Sequence, residues 1–325
     1  MTGDDAHFMR LALAVAERGR GTTAPNPMVG ALVVDASGVI VGRGAHLVAG
    51  EPHAEVAALA EAGERARGAT LYCTLEPCSH TGRTGPCAPL VTAAGIRRAV
   101  IAMEDPNPLV NGGGLAHLRA HGVDVAVGVE LARAAAQNAV FLTNVRERRP
   151  YAILKAALSA DGKLAAARGE RTYLTGAEAN RWIHRQRAEV DAIGIGSGTL
   201  LADDPLLTAR GAYRARPLTR VVFDRQLRTP PSARLFSTLA SGPVIISSTE
   251  AACADNPGKV RALAAVGARV AAVPGSDFAS ALAETYRWFV QHVVKEGCGH
   301  GCPALQGAVP DSPHRGRGGP GLPDR

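Results

Sequence analysis

The chain has 325 residues, 46% of them hydrophobic and 20% charged, with a net charge of +7. That is enough for two domains and too ordinary a balance for a disordered or fibrous chain. No run approaches the roughly 18 apolar residues of a membrane span, and the acidic opening MTGDDAHFMR lacks the basic-then-apolar order of a signal peptide, so the expected location is the cytoplasm.

Taken in order, residues 5–18 set Phe8, Leu11, Ala12 and Val15 on one helical face, behind Asp4 or Asp5 as N-cap. MVGALVVD and GVIVGRGA flank Ala36-Ser37-Gly38 as a hairpin. A helix over about 53–65 follows, then the strand ATLYCTLE, a helix over 86–94, the strand RRAVIAM, a helix over 112–120 and the strand VDVAVG. Strands separated by helices imply a sheet covered on both faces. ERRP at 147–150 marks a boundary dividing the chain into 1–148 and 149–325. Beyond it YAILKAALS reads as a strand, 176–187 as a helix, and DAIGIG, LTRVVFD and GPVIISS as strands. A helix over about 257–266 and the strand ARVAAVP complete the series, with Asp203, Asp204 and Pro205 in loops. From Lys295 on, the chain is rich in Gly, Pro and Arg and is expected to lack regular structure.

Three of the six cysteines, Cys73, Cys78 and Cys87, fall within fifteen positions. In a reducing compartment such clustering points to metal or catalytic chemistry before disulfides. A water-activating zinc takes three protein ligands and keeps a fourth position open. His53, Cys78 and Cys87 supply one nitrogen and two thiolates, and Glu55, two residues after His53, is placed to move protons without ligating. H-A-E or E-P-C alone is a weak signal, since a His at a helix start is as readily a cap. Together they match the H-x-E plus P-C signature of zinc deaminases. The strand before Cys78 and the apolar helix after Cys87 supply its context, the helix N-terminus favouring thiolate. Cys73, inside a strand, reads as a small core residue. His80, in the loop between the two cysteine ligands, is either a substrate contact or a solvated loop residue.

The whole positive excess falls after residue 149, because residues 1–149 hold 14 basic and 14 acidic side chains. With aromatics at 4% of the chain, base-stacking surfaces are disfavoured. A site for small phosphorylated ligands, or a solvated basic face, fits better.

The stretches PNPMVG (25–30), GEPHAE (50–55), TLEPCSHTGRTGPC (74–87) and EDPNP (104–108) resemble the deaminase half of the RibD family of bifunctional riboflavin biosynthesis proteins. KAALSADGKLA (155–165), GERTYLTG (169–176), RAEVDAIGIGSGTLLADDPLLTAR (187–210) and RVVFD (220–224) resemble its reductase half. The resemblance implies an α/β protein: a cytidine-deaminase-like three-layer domain, then a dihydrofolate-reductase-like domain with an atypical, incomplete C-terminus. It implies deamination of 2,5-diamino-6-(5-phosphoribosylamino)pyrimidin-4(3H)-one at zinc, then NADPH-dependent reduction of the ribosyl group to ribityl. By the same resemblance Asn26 contacts the pyrimidine ring, the alternative being a turn-capping Asn between two prolines. Ala157, Tyr173, Thr199 and Asp203 contact NADPH, while Arg171, Arg187, Leu207 and Arg210 contact the substrate and its phosphate. Gly194, Gly196 and Gly198 would let backbone approach the cofactor.

The resemblance covers about residues 5–275 and is expected to end there. Beyond them Glu296-Gly297 stands as a remnant of a family strand motif, and the sheet is expected to be about two strands short. Cys298, His300 and Cys302 read as coincidence rather than a second metal site. Two other functions stay open: a deaminase with a degraded reductase half, and a nucleic-acid-editing deaminase. The expected partners are a small-molecule phosphoribosylaminopyrimidine and further copies of the chain, with no nucleic acid and no membrane.

Overall fold

A computed structural model describes residues 3–81, 84–108, 110–167 and 172–274 of the chain. The first half opens with α1 (Gly3–Ala16), followed by β1 (Gly30–Val34), β2 (Ile40–Ala45), α2 (Ala54–Ala62) and β3 (Thr70–Cys73). Next come α3 (Cys87–Ala93), β4 (Arg98–Ile101), α4 (Gly113–Ala120), β5 (Asp124–Val127), α5 (Leu131–Gln137) and α6 (Ala139–Glu147). The five strands form one sheet in the order β2-β1-β3-β4-β5. β1 pairs antiparallel with β2 and β3, whereas β3, β4 and β5 run parallel.

The register sorts the side chains between two helical layers. Gly30 lies under α1, where a Cβ would meet the Ala12 carbonyl at 2.1 Å. One residue on, Ala31 faces the other way and pairs with Gly44, whose Cβ would stand 1.9 Å from the Ala54 carbonyl of α2. Gly42 repeats the contact one turn along, with the Ala58 carbonyl at 2.1 Å. The alternating glycines of VGRG therefore let an alanine-rich helix lie with its backbone against the strand, a placement any side chain would block. All five β1 residues are buried, as expected of a central strand covered on both faces.

Asp4 and Asp5 fall inside the first turn of α1 rather than at its cap. Asp5 is drawn inward instead: its carboxylate accepts bonds from Arg98 Nη1 at 2.7 Å and from the Tyr72 hydroxyl at 3.1 Å, tying α1 to β4 and β3. Burial, then the bond to Asp5, pushes the Tyr72 phenol up to about 12.

The second half contains α7 (Ala177–Glu189), β6 (Ala192–Gly196), α8 (Ser197–Asp203), β7 (Thr219–Phe223), β8 (Val244–Thr249), α9 (Glu250–Asp255), α10 (Pro257–Ala265) and β9 (Ala268–Val273). Among its described residues four strands run parallel in the order β6-β7-β8-β9. Leu200, Val222, Leu235, Ile246 and Leu263 pack on one face, Val221, Ile245 and Ala271 on the other.

Several expectations are corrected. The run 151–159 is not a strand. No strand among the described residues pairs with it, and Ile153 and Leu154 are 66% and 96% exposed. Apolar composition alone does not make a strand without a partner ladder. Asp203 ends a helix, α8, rather than lying in a loop. The strand read as 69–76 closes at Cys73, so Cys78 sits in the loop beyond it.

Candidate metal centre and anion-binding residues

α2 begins at Ala54 with His53 as its extended N-cap residue, so the imidazole projects from the helix entrance and Glu55 occupies the first turn. Cys78 lies in the loop after β3, and Cys87 is the first residue of α3. Three separate elements thus deliver one ligand atom each, and these atoms all lie within 4.8 Å of one another. His53 Nδ1 stands 3.3 Å from Cys87 Sγ and 3.6 Å from Cys78 Sγ.

The local electrostatics suit a soft dication. The Cys78 thiol is held down to about 4, first by the hydrogen bond from Cys87 and then by His53. The Cys87 backbone N–H, at the free end of α3, also donates to Cys78 Sγ at 3.3 Å. Cys87 moves in the opposite direction, upward, because it carries the proton of that shared bond. The shared proton thus favours thiolate on Cys78 over Cys87. The second thiolate forms when a cation replaces the shared proton. His53 Nε2 lies 3.2 Å from the Thr84 hydroxyl. Without a cation, the hydrogen bond between Nδ1 and Cys78 raises the His53 pKa; with one bound, donation from Nε2–H to Thr84 would free the Nδ1 lone pair for the metal. The donor set of one imidazole and two sulfurs fits zinc with an open fourth position.

Glu55 is 3% exposed, and burial raises its carboxyl to about 7. A group balanced near neutrality can both take and give a proton. Cys73 is fully buried and its thiol is pushed up by desolvation, the behaviour of a core residue.

Asn26 Nδ2 lies 3.0 Å from His46 Nε2, and the His46 ring meets the His53 ring edge-on at 5.3 Å. His46 Nδ1 faces the Pro52 carbonyl at 3.3 Å. His46 and Thr84 thus join the site although no motif spacing pointed to them. The pairing of β1 with β2 brings His46 to the entrance of α2, and only that register reveals it. His80 is half-buried, and its Nδ1 has no hydrogen-bond partner among the described residues.

In the second half Leu207 is buried with φ +54°, turning the chain so that Arg210 returns toward α7. Arg187 donates to the Thr208 carbonyl at 3.4 Å. Leu207, Arg187 and Arg210 are therefore neighbours. Ala157 is half-buried, whereas Tyr173 and Thr199 are exposed; Arg171 lies outside the described residues, as do Cys298, His300 and Cys302. Gly194 serves packing, since a Cβ there would meet the Phe223 ring at 2.6 Å, while Gly196 and Gly198 face open space.

A mixed sheet between helical layers, with a His/Cys/Cys cluster at two helix starts and a buried Glu beside it, defines a zinc-dependent deaminase of the cytidine deaminase class. The family model "Cytidine and deoxycytidylate deaminase zinc-binding region" matches residues 2–103, and "RibD C-terminal domain" matches residues 150–303. The chain is 40% identical to the riboflavin biosynthesis protein RibD of Aquifex aeolicus over 293 residues, covering 90% of this chain and 80% of the relative. It belongs to the RibD family of riboflavin biosynthesis proteins.

RibD of Escherichia coli is 46% identical over 243 residues, 71% of this chain and 66% of that protein. Among solved structures, Acinetobacter baumannii RibD (form 1) superposes with a TM-score of 0.75 at 34% identity, covering 90% of this chain and 84% of that one. The diaminohydroxyphosphoribosylaminopyrimidine deaminase/5-amino-6-(5-phosphoribosylamino)uracil reductase of Thermotoga maritima gives 0.75 at 33%, covering 89% and 78%.

The chain is thus a deaminase–reductase of riboflavin biosynthesis, with zinc in the first half and NADPH in the second. The expectation that the family likeness ends near residue 275 is corrected: the match to the RibD C-terminal domain runs to residue 303. No helix among the described residues is long and apolar enough to cross a membrane.

Proposed function

We propose that the chain deaminates 2,5-diamino-6-(5-phosphoribosylamino)pyrimidin-4(3H)-one at its first site and reduces the ribosyl group of the product at its second. The observation that carries the first step is the meeting of three ligand atoms within 4.8 Å beside a buried carboxyl at about 7. His53, Cys78 and Cys87 would hold zinc, which when bound lowers the pKa of a water molecule. Glu55 accepts the proton of the attacking water and delivers it to the ring nitrogen, then takes the proton of the newly added hydroxyl as the carbonyl forms and passes it to the departing amine, which leaves as ammonia. Asn26, braced by His46, orients the pyrimidine ring, and His80 reaches it from the loop between the cysteines.

In the second half Ala157, Tyr173, Thr199 and Asp203 would hold NADPH, the source of the hydride, against the opened sugar. Leu207 with Arg171, Arg187 and Arg210 would seat the substrate, the guanidinium forks taking its phosphate. A domain boundary at 148/149 accords with the end of α6 at Glu147. The enzyme would work in the cytoplasm as a homo-oligomer without nucleic acid.

The test is release of ammonia from that pyrimidine, with NADPH absorbance reporting the second step. A Glu55→Gln variant should lose at least about a hundredfold in deamination, the scale of a positioned acid–base group, while reduction of supplied intermediate continues. Full ammonia release by Glu55→Gln would overturn the assignment.

A further inference from the structure

Outside the deaminase centre, two arginines gather around a histidine with no counter-charge among the described residues. His184 and Arg187 are three residues apart on α7 and so share a face. Opposite them runs the segment 207–210. The Arg210 backbone N–H donates to His184 Nδ1 at 3.1 Å, and Arg210 Nη2 lies 3.4 Å from His184 Nε2. With Nδ1 accepting the amide proton, Nε2 carries the ring's own proton, so the imidazole holds Arg210 through its backbone and lies against its guanidinium. The Thr208 carbonyl, which accepts from Arg187 Nη1, also faces this imidazole.

Among the described residues neither Arg187 nor Arg210 has a carboxylate within ion-pair distance, and Arg187 Nε is buried without a partner. Burial first, and then the neighbouring Arg210, lowers the Arg187 pKa. Holding like charges together in a half-buried place is unfavourable until an anion arrives. The imidazole is suited to the task because its neutral form accepts the Arg210 amide proton at Nδ1.

We propose that His184 is a positioning residue of the reductase half: it fixes Arg210 beside Arg187, so that the two guanidiniums form a preset seat for one phosphate monoester. This rests on the reading of Arg187 and Arg210 as the residues that take the substrate's phosphate. Fixing the seat in advance removes an ordering cost from binding.

The experiment is calorimetric titration of the full chain with 5-amino-6-(5-phosphoribosylamino)uracil and with its dephosphorylated counterpart. The variants are His184→Leu, which removes the acceptor, His184→Asn, whose Oδ1 stands where Nδ1 was, and Arg210→Ala. His184→Leu should weaken the phosphorylated ligand about tenfold, or ~1.4 kcal/mol, and leave the dephosphorylated one within about twofold. His184→Asn should recover most of the loss, with ammonia release unchanged in both.

Equal weakening of the two ligands, or none, would overturn the proposal. If Arg210→Ala discriminates against the phosphate and His184→Leu does not, the positioning role fails while the anion reading stands. If neither discriminates, both fail. Should His184→Leu not fold, the Asn variant decides, because a wild-type preference for the phosphorylated ligand requires the retained acceptor and its loss would refute it.

Discussion

Replacing Glu76 by Gln tests how the loop bearing Cys78 is held. The Glu76 side chain is buried, and its two oxygens accept four backbone N–H groups. Oε1 takes Gly114 at 2.9 Å and Leu115 at 3.2 Å, and Oε2 takes Gly112 at 3.0 Å and Asp105 at 3.2 Å. The carboxylate thus pins the start of α4 and the 104–108 loop to the residue two places before Cys78. The fit is close, since a Cβ on Gly114 would lie 1.8 Å from the Pro77 carbonyl.

Gln keeps one oxygen and turns the other acceptor into a donor facing two N–H groups. Each orphaned buried donor costs about 1–3 kcal/mol, so Glu76→Gln should destabilise this half by roughly 2–6 kcal/mol. That is a large part of the ~5–15 kcal/mol by which domains are stable. Zinc release to a chromogenic chelator during urea titration reports on this half alone, and its midpoint should fall sharply. A midpoint within the equivalent of about 0.5 kcal/mol of wild type, the range of an ordinary surface change, would refute the reasoning.

Two further outcomes follow from the same region. Burial raises the Asp105 carboxyl from 3.8 to about 6, so its neutral form is favoured in the folded state; stability is lost as pH rises from the unfolded value through the folded one. Asp105→Asn keeps the acceptor for the Asn107 N–H at 2.9 Å and removes the charge. It should be more stable than wild type by roughly 1–3 kcal/mol at neutral pH, with the gap in melting temperature closing toward pH ~4. Gly44→Ala would drive a methyl into the Ala54 carbonyl and displace α2, which carries Glu55; about 1–3 kcal/mol of stability should be lost, together with much of the ammonia release, as assayed on the folded fraction.

The deaminase site was legible because its chemistry is local to two motifs: His53 and Glu55 share a helix start, and Cys78 and Cys87 flank one loop. The strands of the first half were legible for a similar reason, since GALVV is covered on both faces and reads as an unbroken apolar run. What escaped depends on distant pairing. His46 reaches the site through the register of β1 with β2, and Asp5 gives up capping for a bond to Arg98, 93 residues away. α5 and α6 were missed for different reasons: LARAAAQ is short and alanine-rich, whereas AVFLTNVRE does carry an apolar face, with Leu142 buried, but adjoins the ERRP boundary without a capping signal. Residues 151–159 failed in the opposite sense: they have a strand's composition without a described partner.

The central claim, a cation held by one imidazole and two sulfurs with an open corner, is tested most directly by zinc-edge X-ray absorption on the purified protein. About one zinc per chain, with one nitrogen, two sulfur and one oxygen ligands, is the predicted result, since water-activating sites keep a fourth position for solvent. A protein that holds no zinc, or a zinc closed by four protein ligands, would contradict it.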